Sequence, residues 1–307
     1  MGFKRIKRTV KTAAILAACL ALTAAGGGPS ALVVLSSKAS PYVEHAQGFK
    51  SRFPGKTRVI ALSELEKERS GREEKPDIVV AVGSRAAEES VRLYDDTPVL
   101  FTMVYNPSAH GLAGNQNVSG LSLMVPPSET LKALYSLVPS EIKKLKFGAV
   151  RSKGRAEADI ETLKSALDGS GHTLEVAVVE NSSESGRAFR KLSEEVDVIW
   201  LVADPVAIPD QGFLVSILEL ALKKKVAVVG LSSAHVKLGA LVSVSVDYYL
   251  EGVEAAKTAA ELTGEDPPKP EIKGPQSLIW SVNDKVASEI GWPLPPAIKN
   301  RFERVYP

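Results

Sequence analysis

The sequence predicts an α/β architecture of two doubly wound, parallel-sheet lobes, and three observations point there. Short β-branched apolar runs alternate with amphipathic stretches from Ala31 onward, which is how strands joined by crossover helices read. The runs are apolar on both faces, as expected of strands covered by helices on either side. The alternation restarts near the middle of the 307 residues, a length at which one continuous core becomes awkward, so two domains are expected.

The elements follow in order after a distinct leader. Residues 1–28 have a basic head (Lys4, Arg5, Lys7, Arg8, Lys11), an apolar stretch from Thr12 to Leu22, and then small residues. This reads as an export signal over residues 1–25, because the apolar run falls short of the ~20 residues that a spanning helix needs. Loss of the leader removes five positive charges and no acidic ones, which takes the formal net charge from +2 to −3. A nucleic-acid partner then lacks electrostatic support. Cys19, the single cysteine, stands in Leu16-Ala17-Ala18-Cys19, which looks like a lipobox and makes Cys19 a candidate for lipidation. Thr23-Ala24-Ala25 offers an ordinary cleavage site instead, and both readings place the mature protein in the periplasm or cell envelope.

In the first half, ALVVLSS, TRVIALS, DIVVAVG and TPVLFTMVY read as strands, with SPYVEHAQGFKSRF and SRAAEESVRLY as helices. The second half opens with SETLKALYSLV as a helix and KLKFGAV as a strand. Strands HTLEVAVVE, DVIWLVA and VAVVGLS follow, with helices RAEADIETLKSALDGSG, ESGRAFRKLSEEV and DQGFLVSILELALKKK between them. ALVSVSVDYYLEGVEAAKTAAELTG adds a strand and a helix, and four prolines in GEDPPKPEIKGPQ then break regular structure. SLIWSVNDKVASEIGW supplies a last strand and short helix. The expected lobes are residues 30–120 with 248–268, and residues 121–247 with 269–307.

Enzyme chemistry finds few footholds in this pattern, and no cofactor is expected. His45, His110, His172 and His235 are scattered outside any metal-binding spacing. Neither VGSRA nor GLSSA forms a serine nucleophile elbow, and no glycine-rich phosphate loop follows a strand. Open α/β sheets bind ligands beyond the carboxyl ends of their strands, so a cleft between the lobes would be lined by residues at those ends. The candidates are Tyr42, Ser84, Ala86, Tyr105, Asn106, Asp204, Ser232 and Asp247. Ser84 starts a helix whose free amides favour an anion, and it is also a natural cap. Tyr42 and Tyr105 could stack on a planar ligand or pack into the core.

Several linked segments resemble the solute-binding proteins of ABC transporters, the family that includes binders of tryptophan and other aromatic amino acids. They are DIVVAVGSRAAEE, TPVLFTMVYNPSAHGL, GALVSVSVDYYLEG and SVNDKVASEIGW, together with the stretch from Asn117 to Val150. The resemblance implies the type I periplasmic-binding-protein fold with a hinge of three crossings, expected near Gly120, Asp247 and Pro270. It implies a monomer that binds a small molecule, perhaps an amino acid, and docks on an ABC permease in the inner membrane. A ligand-sensing ectodomain is the alternative. Within the family-like VDYY motif, Asp247 is the expected anchor for a ligand amine, with helix capping as the other reading. The chain has Val104-Tyr105-Asn106-Pro107 where the family has Val-Thr-Asp-Pro, and Ala203-Asp204-Pro205-Val206 where it often has Thr-Asp-Asn-Thr. The ligand is therefore open between an aromatic amino acid and another small amino acid or anion.

Overall fold

The computed structural model describes residues 28–71 and 74–307, so the leader and Cys19 lie outside the described residues. The first lobe opens with β1 (Ser30–Leu35), α1 (Ser40–Arg52), β2 (Lys56–Ala61), α2 (Leu65–Ser70), β3 (Ile78–Val82), α3 (Ser84–Leu93), β4 (Val99–Val104) and β5 (Val118–Ser122). The chain then builds the second lobe from α4 (Pro127–Tyr135), β6 (Lys146–Ser152), α5 (Glu157–Leu167), β7 (Thr173–Val179) and α6 (Ser182–Glu195). It continues there with β8 (Val198–Trp200), α7 (Gln211–Lys224), β9 (Ala227–Val229), α8 (Ser233–Leu238) and β10 (Val242–Val246). Helix α9 (Tyr248–Leu262) and β11 (Ile272–Lys273) return to the first lobe, and β12 (Leu278–Asn283), α10 (Asp284–Glu289) and β13 (Arg304–Tyr306) complete the second.

The first sheet has the order β11-β5-β4-β3-β1-β2, and all its pairs are parallel. The second has the order β13-β12-β10-β9-β8-β6-β7, parallel except that β12 runs antiparallel to β10. Alternate residues of one strand feed opposite cores, because side chains on a strand point to opposite faces. Ile78, Val80 and Val82 pack with Phe49 and Ala255 on one face, while Val79 and Ala81 pack with Ala86 and Tyr94 on the other. The second sheet is likewise covered, by a core around Leu134 and Val286 on one face and one around Phe189 and Leu218 on the other.

Helices α1 and α9 lie backbone to backbone. A Cβ on Gly252 would stand 2.0 Å from the carbonyl oxygen of His45, and one on Gly48 would stand 1.9 Å from that of Tyr249. Both positions therefore exclude any side chain.

The three changes of sheet fall at residues 123–126, at Asp247 and at residues 274–277. They lie within a few residues of the positions expected near Gly120, Asp247 and Pro270, and neither Gly120 nor Pro270 is itself in a crossing. Gly120 lies inside β5, where a Cβ would meet the Phe101 ring at 2.0 Å, so its glycine serves packing. Pro270 precedes β11, whose Ile272 and Lys273 pair with Gly120 and Leu121, so the first lobe runs on to residue 273 and not only to 268. The second and third crossings are tied together, since the Asp247 amide donates to the Ser277 carbonyl at 3.0 Å.

Candidate ligand-binding cleft

A cavity of about 240 Å³ lies where the carboxyl ends of β8, β9 and β10 meet the first lobe. Its walls are largely apolar, from Leu123, Met124 and Val125 at the first crossing to Trp200, Val202, Val229, Val244 and Val246 of the second sheet. Tyr105 and Tyr248 add aromatic surface to the lining, and Asp159 is the one charged side chain among the lining residues. The volume is just below the ~300–1,000 Å³ typical of drug-sized ligands, which suits a molecule of amino-acid size.

Unusual backbone positions Tyr105 and Asp159. Met103 adopts φ 58° in β4 at a shift of register between Thr102 and Val104, a bulge that re-aims the residues after it. Ala156 adopts φ 52° immediately before α5, whose first turn carries Asp159. Two of the three non-glycine residues with positive φ among the described residues thus stand just ahead of the two cleft side chains, as strain at functional positions does. The Tyr105 hydroxyl donates to Asp159 Oδ1 at 3.1 Å, a bond from the first lobe to the second. Burial raises the Asp159 carboxyl above the ordinary aspartate value, against the opposing pull of the Tyr105 hydrogen bond. Burial, and then the Asp159 charge, push the Tyr105 hydroxyl well up, so it remains a donor.

The other sequence candidates do not converge on this cavity. Asn106 accepts from the Ala109 amide at 3.2 Å and caps a short turn. Asp204, 3% exposed, accepts from the Ser152 amide and hydroxyl at 2.6 and 2.8 Å and from the Val206 and Ala207 amides at 2.9 and 3.2 Å. Burial alone would raise its carboxyl, but these four bonds hold it below the ordinary value. Its oxygens organise a loop. With Ser232, Asp204 borders an adjoining groove of about 520 Å³ that shares Val202, Ala203 and Leu231 with the cleft.

Ser84 is the first residue of α3, yet the Ala86 amide is capped from a distance by Ser36 Oγ at 2.8 Å, and Ala86 itself is fully buried. Tyr42 packs against the first core, with its ring beside Gly83. Asp247 caps α9 by accepting from the Leu250 amide at 2.9 Å, and it is not among the cavity-lining residues, though its neighbours Val246 and Tyr248 are. Asp159 and Trp200 were not singled out by the sequence reading. The available signal for Asp159 was its place in a first helical turn just after β6, one of the strand ends where such sheets bind ligands.

Among the described residues no group of three or more His, Cys, Asp or Glu is placed to hold a metal, and no helix is long and apolar enough to cross a membrane. The chain is 23% identical over 196 residues to a tyrosine-binding protein of Clostridioides difficile (strain R20291), a match that spans 62% of this chain and 55% of that relative. The match thus covers just over half the length of that relative. Among solved structures, a ligand-free, open substrate binding protein with adhesive properties from Clostridium difficile superposes with TM-score 0.74 at 17% identity, covering 91% of this chain and 99% of that one. A domain from Streptococcus pneumonia in complex with L-Trp gives TM-score 0.62 at 19% identity, covering 90% and 99%. A conserved domain protein of Vibrio cholerae gives 0.62 at 22% identity with the same coverage. These likenesses fix the fold as the two-lobed type I periplasmic-binding architecture. The family model described as ABC transporter substrate binding protein matches residues 65–305, so the chain belongs to that family.

Proposed function

We propose that this chain is the extracytoplasmic solute-binding component of an ABC importer and that it takes an aromatic or large apolar amino acid into the cleft. The observation that carries this reading is a single carboxylate, Asp159, in an otherwise uncharged and largely apolar cavity. Such a site matches a ligand with one cationic group on an apolar body, and Trp200, Tyr105 and Tyr248 supply aromatic surface for a ring. A sugar, dense in hydroxyls, would find few partners there. The ligand amine is assigned to Asp159. Relatives described as binding tyrosine and L-Trp support the same ligand class.

Protein purified without added ligand, then unfolded, should release the solute for mass spectrometry, and titration calorimetry with L-tyrosine and L-tryptophan should show saturable binding. Release of a sugar, together with no heat from either amino acid, would overturn the ligand class. Co-purification of the chain with a permease from solubilised membranes tests the importer role.

A further inference from the structure

At the start of α9 the usual order of polarity is inverted. Leu250 is 48% exposed while its neighbour Glu251 is fully buried. A carboxylate withdrawn from water is costly unless it is paired. Among the described residues Glu251 makes no ion pair, and its Oε1 has no hydrogen-bond partner. Its Oε2, however, accepts from the Gln276 amide at 3.1 Å and the Ser277 amide at 3.2 Å. Those two amides belong to the third crossing, the two residues immediately before β12 begins. The Ser277 carbonyl in turn receives the Asp247 amide of the second crossing. One buried side chain on a first-lobe helix therefore grips the strand that leads into the second lobe.

We propose that Glu251 is the clasp of the hinge, a positioning residue that ties the third crossing to α9 and through it sets how freely the two lobes rotate. The inference holds whatever the ligand is. Burial pushes the Glu251 carboxyl up to about 7, against the pull of the two amides, so its charge changes near neutral pH. The surroundings leave that change to Glu251 itself. Helix α1 brings His45 to the α9 interface, and burial keeps that ring uncharged by lowering it to about 3. Strands β3 and β4 and residues 274–277 carry no titratable side chain, and α9 contributes Glu254, whose like charge acts on Glu251. Ionised Glu251 makes two charge-assisted bonds, and the neutral acid makes weaker ones. While Glu251 stays enclosed, the two amides hold its carboxylate more strongly than its neutral acid, so the clasp is tighter above pH 7 than below it, even though enclosing the charge costs the fold as a whole.

The test uses spin labels on Val59→Cys in β2 and Val178→Cys in β7, both exposed edge-strand positions, with Cys19→Ser in the full chain. The interlobe distance distribution, measured without ligand at pH 8.5 and pH 5.5, should broaden at the lower pH. Glu251→Gln keeps an acceptor for both amides but cannot ionise, so its distribution should not change with pH. Amide exchange at Gln276 and Ser277 should be about tenfold faster in Glu251→Leu than in the parent, the size expected for loss of a hydrogen bond to a charged group. A pH response that persists in Glu251→Gln overturns the proposal. So do a parent distribution that is indifferent to pH and an unchanged exchange rate in Glu251→Leu.

Discussion

Replacing Asp159 with asparagine separates charge from shape at the centre of the cleft. Asparagine keeps the side-chain volume and an oxygen that can accept from the Tyr105 hydroxyl, now 3.1 Å away, so the cross-lobe bond and the stability of the empty protein should change little. What disappears is the charge in the ligand-amine interaction. A hydrogen bond with a charged partner contributes about 1.5–3 kcal/mol, or about 10- to 150-fold in affinity. Asp159 is only half-buried, and solvent screening moves the expectation to the lower end, about tenfold. Calorimetry with the amino acid identified by release, beside its deaminated analogue, isolates the term, because the analogue should bind the parent and Asp159→Asn alike. Affinity for the amino acid within twofold of the parent would refute the assignment of the amine to Asp159.

Three further outcomes follow from the same contacts. Asp247→Ala should cost about 1 kcal/mol of stability through loss of the α9 cap and leave ligand affinity unchanged, whereas a tenfold loss of affinity would restore Asp247 as an anchor. Asp204→Ala strands the buried amides of Ser152, Val206 and Ala207 and should lower the unfolding free energy by about 3 kcal/mol in urea titration; a loss under 1 kcal/mol would contradict the loop-organising role. His45 binds its proton more weakly folded than unfolded, so stability should be lost as pH falls from about 6.5 toward 3, by up to about 5 kcal/mol. Glu251 acts with the opposite sign, its contribution being full below about 4.5 and lost as pH rises toward 7, so the two offset each other between. His45→Leu should therefore expose a stability that declines from pH 4.5 to 7, and a profile identical to the parent would rule out burial of a neutral His45.

The strands read most clearly from sequence are those with both faces buried, since β1, β3 and β4 are continuous apolar runs. Strand β11 was hidden because its two residues, set among prolines, gain their pairing only from the tertiary contact with β5. The crossing expected near Gly120 begins a few residues beyond that glycine for a related reason. The glycine there answers to the Phe101 ring from the neighbouring strand, and local composition does not carry that contact. Polar residues at strand ends were correctly located, but whether such a side chain turns outward or inward is a matter of hydrogen-bond partners distant in sequence. Asp204 turns to Ser152, 52 residues away, while Asp159 sits in an ordinary amphipathic pattern and meets Tyr105 through two strained backbone positions.

The glycine contact between α1 and α9 has a mechanical consequence. Two helices whose backbones touch have no layer of side chains to shear, so α9 must travel with α1 as one rigid arm. That arm begins one residue after the second crossing, and its first residue, Tyr248, lines a cavity otherwise built mostly by the second lobe. Any rotation of the lobes would carry that ring bodily against the cavity. A change in the angle between the lobes would then be read out as the position of one aromatic ring against a bound molecule.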